Sequence, residues 1–270
     1  MNDKKKSGKF VLKLFITFVL INTMLFSLVS CKKEEAEKKK ELLIYSGITM
    51  IRPMTEIAKI IEEQENCQIT IIKDGSGNLL ESIVHNKTGD LFLPGSERYY
   101  TIIENDYPGL ITETVNVGHN RAVIMVQAGN PDTITPDLLN LTSIEYGVVI
   151  GNPESGSIGK ETKNILDKKG IYEDVVRNAM SLTTDSKDLM KAIISKDADI
   201  VINWFSVYTW DNNSEYMDVL EIDPELVETK ELILGLLKFS EHPDIAKKIM
   251  ALAGSDKGRE IFKKYGLYFE

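Results

Sequence analysis

Four short stretches put glycine and hydroxyl residues where an apolar run gives way to a helical pattern. They are Tyr45–Met50 (YSGITM), Asp74–Asn78 (DGSGN), Asn152–Gly159 (NPESGSIG) and Thr183–Asp188 (TTDSKD). The first turn of a helix exposes backbone N–H groups that lack intrahelical acceptors, at the positive end of the helix dipole, which suits it to anions. A Ser or Thr at the junction adds a hydroxyl donor. The same residues also make ordinary helix caps, so one such stretch alone says little. Four on one chain point to a shared site, because strand-end loops line the ligand cleft of open α/β sheets.

Other chemistries fail on spacing. A phosphate-cradling loop needs Gly-x4-Gly-Lys-Ser/Thr. In Glu154–Glu161 (ESGSIGKE), Gly159-Lys160 is present, but Glu154 replaces the first glycine and Glu161 the Ser/Thr. A nucleophile elbow needs Gly-x-Ser-x-Gly, and neither Ser76 nor Ser157 has both glycines. His85, His119 and His242 form no catalytic or metal-ligand pattern and are expected at the surface. Beyond Cys31 only Cys67 remains, expected as a small buried residue, so no disulfide or thiolate cluster is available. The chain reads as a binding protein rather than an enzyme, needing no cofactor and no metal cation.

The elements that must hold these loops alternate. Strand patterns at Glu41–Ser46, Gln68–Ile72, Gly89–Ser96, Arg121–Pro131, Glu145–Pro153 and Ala198–Trp204 are separated by helical patterns at Pro53–Gln64, Asn78–Asn86, Ser157–Gly170 and Ser186–Asp197. Two terminal helices are expected, broken at Gly254-Ser255. This grammar predicts α/β units with mostly parallel sheets, in two lobes with a cleft between them.

The N-terminus has a different composition. Lys4, Lys5, Lys6, Lys9 and Lys13 precede an apolar stretch, Leu14–Leu25, that ends in Leu28-Val29-Ser30-Cys31. The pattern is that of a lipoprotein signal peptide over residues 1–31, with Cys31 as the lipidated residue and the extracytoplasmic face of the cell envelope as destination. Residues 32–41 are charged and lack an apolar face, as a tether would. The chain carries 32 basic and 41 acidic residues, and without the leader 27 against 40, a net −13. Such a surface excludes nucleic acid as a partner and requires any anion site to work through local donors.

The stretches IYSGITM, GSGNLLESI, GDLFLPGSERYY, GNPESGSIGKETKNIL and the terminal GREIFKKYG, in this order, resemble the substrate-binding proteins of ABC importers. The likeness is to the molybdate/tungstate-binding branch of the two-lobed oxyanion binders. It implies a type II periplasmic binding fold, with 42–118 and 209–270 forming lobe 1 and 119–208 lobe 2. Each lobe would be a mainly parallel sheet flanked by helices, and hinge closure would capture a tetrahedral oxyanion. It implies a monomer that works with a membrane permease and its ATPase.

By position, the resemblance implies Thr49, Ser76, Ile158 and Ser186 as ligands through hydroxyls or backbone N–H groups. Ser46, Gly77 and Ser157 stand beside them as further candidates. The family's final ligand is a tyrosine hydroxyl, and that position here is Trp204, with Asn203 or Tyr208 as alternatives. Asp74 is a second departure. Facing the ligand, it would favour an oxyanion that keeps a proton, such as phosphate, or another small anion; capping its helix, it would leave molybdate or tungstate in place.

Overall fold

A computed structural model of the chain describes residues 39–267. The leader, Cys31 and most of the charged tether lie outside the described residues.

The first sheet has the order β2-β1-β3-β10-β4, from β1 (Lys40–Gly47), β2 (Cys67–Asp74), β3 (Leu91–Leu93), β4 (Ile111–Asn120) and β10 (Lys230–Leu237). β1 runs parallel to β2 and β3, while β10 is antiparallel to both its neighbours. Side chains alternate between the two faces, as strand geometry requires. Leu42 and Ile44, Leu91 and Leu93, and Leu232, Leu234 and Leu236 share one apolar cluster with α1 (Ile51–Gln64), α7 (Pro243–Gly254) and α8 (Asp256–Lys264). Tyr45, Phe92 and Leu237 face the other way, onto α2 (Ser76–Asn86) and α3 (Arg98–Asp106).

The second sheet system contains β5 (Ala122–Gln127), antiparallel to both β8 (Ile200–Trp204) and β9 (Met217–Leu220). A parallel pair, β6 (Val149–Gly151) and β7 (Ser181–Thr183), joins it through a bridge from Val148 to Ile200. Its core, from Ala122 to Ile222, includes Ile158, Ile165 and Leu166 of α4 (Ser157–Lys169), Val175 of α5 (Tyr172–Asn178), and Leu189 and Ile193 of α6 (Ser186–Ile194). α4 ends as its sequence suggests, with Lys168 and Lys169 in the last turn and Gly170 at φ 77°.

The molecule is a two-lobed α/β fold with sheets flanked by helices, but the sheets are mixed rather than mainly parallel as expected, because β10 and β5 each pair antiparallel with both neighbours. One strand in each lobe runs against the rest, β10 in the first and β5 in the second. Both are strands that follow a crossing between lobes. The second crossing comes later than position 209, because β9 pairs with β5 and Ile222 lies in the second core. The chain rejoins the first sheet only at Lys230.

Candidate functional site

The four glycine-hydroxyl stretches meet. Gly47, Ile48 and Thr49 after β1, Asp74 to Ser76 at the start of α2, Gly156 to Ile158 at the start of α4, and Asp185 and Ser186 at the start of α6 line one small cavity, with Gly95 and Trp204. The cavity is small, about 10 Å³, roughly the room that a single water needs.

Local backbone geometry leaves donors open among the lining residues. The N–H groups of Thr49, Ser76, Ser157, Ile158 and Ser186 have no acceptor among the described residues. Four of them belong to the first turn of a helix, where no carbonyl stands one turn behind. Neighbouring donors are engaged elsewhere. Gly75 N–H reaches Asp74 Oδ1 at 2.6 Å, and Gly77 N–H reaches the Ser155 carbonyl at 3.0 Å.

Hydroxyls complete the lining. Ser76 Oγ accepts from the Gly95 N–H at 2.9 Å, and Ser157 Oγ accepts from the Trp204 indole N–H at 3.3 Å. Each acceptance leaves the hydroxyl hydrogen available for a guest. Thr49 Oγ1 lies against Met50 Sδ and accepts from Asn120 Nδ2 at 3.5 Å; Asn120 also donates to the Gly95 carbonyl at 3.2 Å. Asn120, fully buried at the end of β4, thereby links two lining loops. Nothing in its sequence context signals that role.

Among the described residues no Lys, Arg or His lines the cavity, but two carboxylates do. Asp74 both lines it and braces its own helix, accepting from Gly75 N–H and from Asn78 Nδ2 at 3.0 Å. Asp185 caps α6 by accepting from the Lys187 and Asp188 N–H groups at 2.7 and 3.1 Å. Burial pushes the Asp185 carboxyl above the ordinary carboxylate value; its two backbone hydrogen bonds oppose this, and the charges of Asp188 and Asp74 reinforce it.

Of the residues singled out from sequence, Thr49, Asp74, Ser76, Ser157, Ile158, Ser186 and Trp204 come together here. Four do not line the cavity. Ser46 donates to the Gly47 carbonyl, and Gly77 is occupied by Ser155. Asn203 has both polar ends engaged, donating to the Ser186 carbonyl and accepting from its neighbour's N–H, each at 2.9 Å. Tyr208 packs towards Phe205. Trp204 does line the cavity, and its one N–H is directed at Ser157 Oγ.

The lobes touch around this cavity. A Cβ at Gly77 would overlap the Glu154 carbonyl, one at Gly75 the Ser155 carbonyl, and one at Gly95 the Ser157 hydroxyl. The glycines of DGSGN therefore serve close approach of the opposite lobe. One turn along α4 from Ser157, the buried Glu161 meets Lys230 at 3.5 Å and Arg98 of the first lobe at 3.8 Å. Lys230 also pairs with Glu228 at 2.8 Å, which Lys168 holds at 2.9 Å.

A two-lobed α/β molecule whose interlobe cavity is ringed by helix starts has the form of a solute-binding protein. The family of bacterial extracellular solute-binding proteins matches residues 42–268, and the chain belongs to it. A Haemophilus influenzae protein whose name assigns it binding but no ligand is 25% identical over 232 residues, 84% of this chain and 90% of its own. Among solved structures, the periplasmic molybdate-binding protein of Azotobacter vinelandii superposes with a TM-score of 0.72 at 14% identity, covering 85% of this chain and 99% of that one. The PEB3 protein with L-phospholactate bound gives 0.66 at 18% identity, over 85% and 100%. At these identities the structures share the fold alone. The chain is thus a bacterial extracellular solute-binding protein. No helix among the described residues is long and apolar enough to cross a membrane.

Proposed function

We propose that this protein captures a tetrahedral oxyanion between its lobes and presents it to an ABC permease driven by its ATPase. The observation that carries this reading is the set of five backbone N–H groups that have no acceptor among the described residues, around a cavity to which those residues contribute no basic side chain. Fixed N–H and O–H donors, dried by closure, hold an anion strongly without a formal positive charge. The ligands would be Thr49, Ser76, Ser157, Ile158 and Ser186. Residues 40–120 and from 230 to 267 would move as one lobe and residues 122–222 as the other, hinging at the two crossings. Cys31 would carry the lipid that keeps the monomer at the extracytoplasmic face.

Molybdate or tungstate is the guest that the sequence resemblance implies. Asp74 and Asp185 favour a second reading, phosphate or a phosphoryl-bearing organic anion. An unprotonated dianion beside two carboxylates is repelled, whereas a phosphoryl group brings a proton that a carboxylate can accept. The named ligands of the structural relatives include both kinds, molybdate in one and L-phospholactate in another.

Thermal melts of the full chain with molybdate, tungstate, sulfate, phosphate and acetate test this. A guest at a hundredfold excess over its Kd should add roughly 2.7 kcal/mol. Ser76→Ala should abolish most of the shift and Ser96→Ala little of it, since Ser96 does not line the cavity. No shift with any tetrahedral oxyanion would refute the reading.

A further inference from the structure

Beside the anion cavity, and sharing Ile48 with it, lies a wider groove lined by Arg52, Lys73, Lys187, Met190 and Trp210 among others. Its volume is about 280 Å³, against about 10 Å³ for the anion cavity. A bare oxyanion would make no use of it. Ile48, Met190 and the buried Trp210 give the groove an apolar side suited to covering carbon.

Its charge is unusual for this acidic chain. Arg52 forms two hydrogen bonds with Asp211, one of them 3.0 Å, and stacks 5.3 Å from the Trp210 ring centroid, so its charge is matched and it serves as a flat wall. Lys73 and Lys187 have no ion-pair partner among the described residues. They come from opposite lobes, and each directly follows or precedes a residue of the anion cavity, Lys73 beside Asp74 and Lys187 beside Ser186. A substituent leaving the cavity past Ile48 would therefore run towards both ammonium groups.

We propose that the groove takes the organic part of a phosphate monoester whose phosphoryl group occupies the anion cavity, and that Lys73 and Lys187 receive a second negative charge on that part. A phosphate monoester satisfies both halves of the site: its second ionisation lies near pH 6, close enough to neutral for the bound phosphoryl group to take up one proton and donate it in a hydrogen bond to Asp74 or Asp185, and its single ester branch leads into the groove. This rests on the oxyanion reading of the anion cavity.

Titration calorimetry on the full chain with two probes separates the ideas. Methyl phosphate offers the head alone, while phosphoglycolate adds a carboxylate on a short branch. Phosphoglycolate should bind at least about tenfold more tightly. The double variant Lys73→Ala/Lys187→Ala should remove that preference and leave methyl phosphate affinity within about twofold. Equal affinity of the wild type for both probes, or equal weakening of both by the double variant, overturns the groove proposal alone. If neither probe nor inorganic phosphate binds while molybdate does, the monoester is wrong and the oxyanion receptor stands. If no oxyanion binds at all, both readings fall.

Discussion

Ser157 and Trp204 show how a side chain that lines a site can act through its neighbour. The indole N–H donates to Ser157 Oγ, fixing the direction in which the hydroxyl offers its hydrogen. Ser157→Ala should weaken oxyanion binding by about 1.5–3 kcal/mol, the range for a hydrogen bond to a charged group, as read by calorimetry. Trp204→Phe keeps the ring and removes the N–H, so it should cost less; an equal cost would make the indole a direct ligand. Asp185 carries a pH signature. Its folded carboxyl holds its proton more tightly than an unfolded one, chiefly through burial. Ionising it therefore costs stability as pH rises from the ordinary carboxylate value through the raised one. Asp185→Asn keeps a capping side chain. The melting temperature of this variant should gain on the wild type as pH is raised from about 3 to about 7, and parallel curves would deny the effect.

Among the elements, α4 carries the most consequence, because its first turn lines the cavity and its second is bound to the other lobe. Glu161 is buried, and Lys230, at the first residue of β10, is only 1% exposed. Burial raises the Glu161 carboxyl pKa, while Lys230 and Arg98 counter it. Removing one partner of such a pair strands the other. Lys230→Met should destabilise the chain by about 3–5 kcal/mol in denaturant melts, and adding Glu161→Met should recover most of that. If the double variant is as unstable as the single, apolar volume does not substitute here. The helices bordering the cavity were legible as 3.6-residue patterns, and their N-terminal glycine-hydroxyl signatures with them. β4 and β10 were not, because β4 is largely polar and β10 carries Gly235 amid its apolar run, packed where Tyr100 donates to the Phe92 and Ile233 carbonyls.

For the whole molecule, closure depends on how near the lobes can come. Gly77 has no room for a methyl group beneath the Glu154 carbonyl. Within an isolated helix, Gly→Ala stabilises by up to about 1 kcal/mol. Gly77→Ala should therefore leave the melting temperature of the ligand-free chain unchanged or higher, while oxyanion affinity falls about tenfold or more. Small-angle scattering at saturating oxyanion should show a larger radius of gyration than for the wild type. A compact, tight-binding variant would place the glycine outside closure.

The sequence by itself determined the alternation of strands and helices and the four helix starts, since each follows from periodicity and caps within a dozen residues, and the order of those elements along the chain pointed to two lobes. It also excluded the nucleotide loop and the serine elbow, which depend on fixed spacing. Tertiary structure alone decided which donors remain open, that Trp204 serves Ser157, and that Asp74 braces its helix while lining the cavity. It also decided where the chain returns to the first lobe. These depend on hydrogen bonds and contacts between segments far apart in the chain, such as Gly77 with Ser155 and Asn120 with Gly95, and no local pattern encodes such distances.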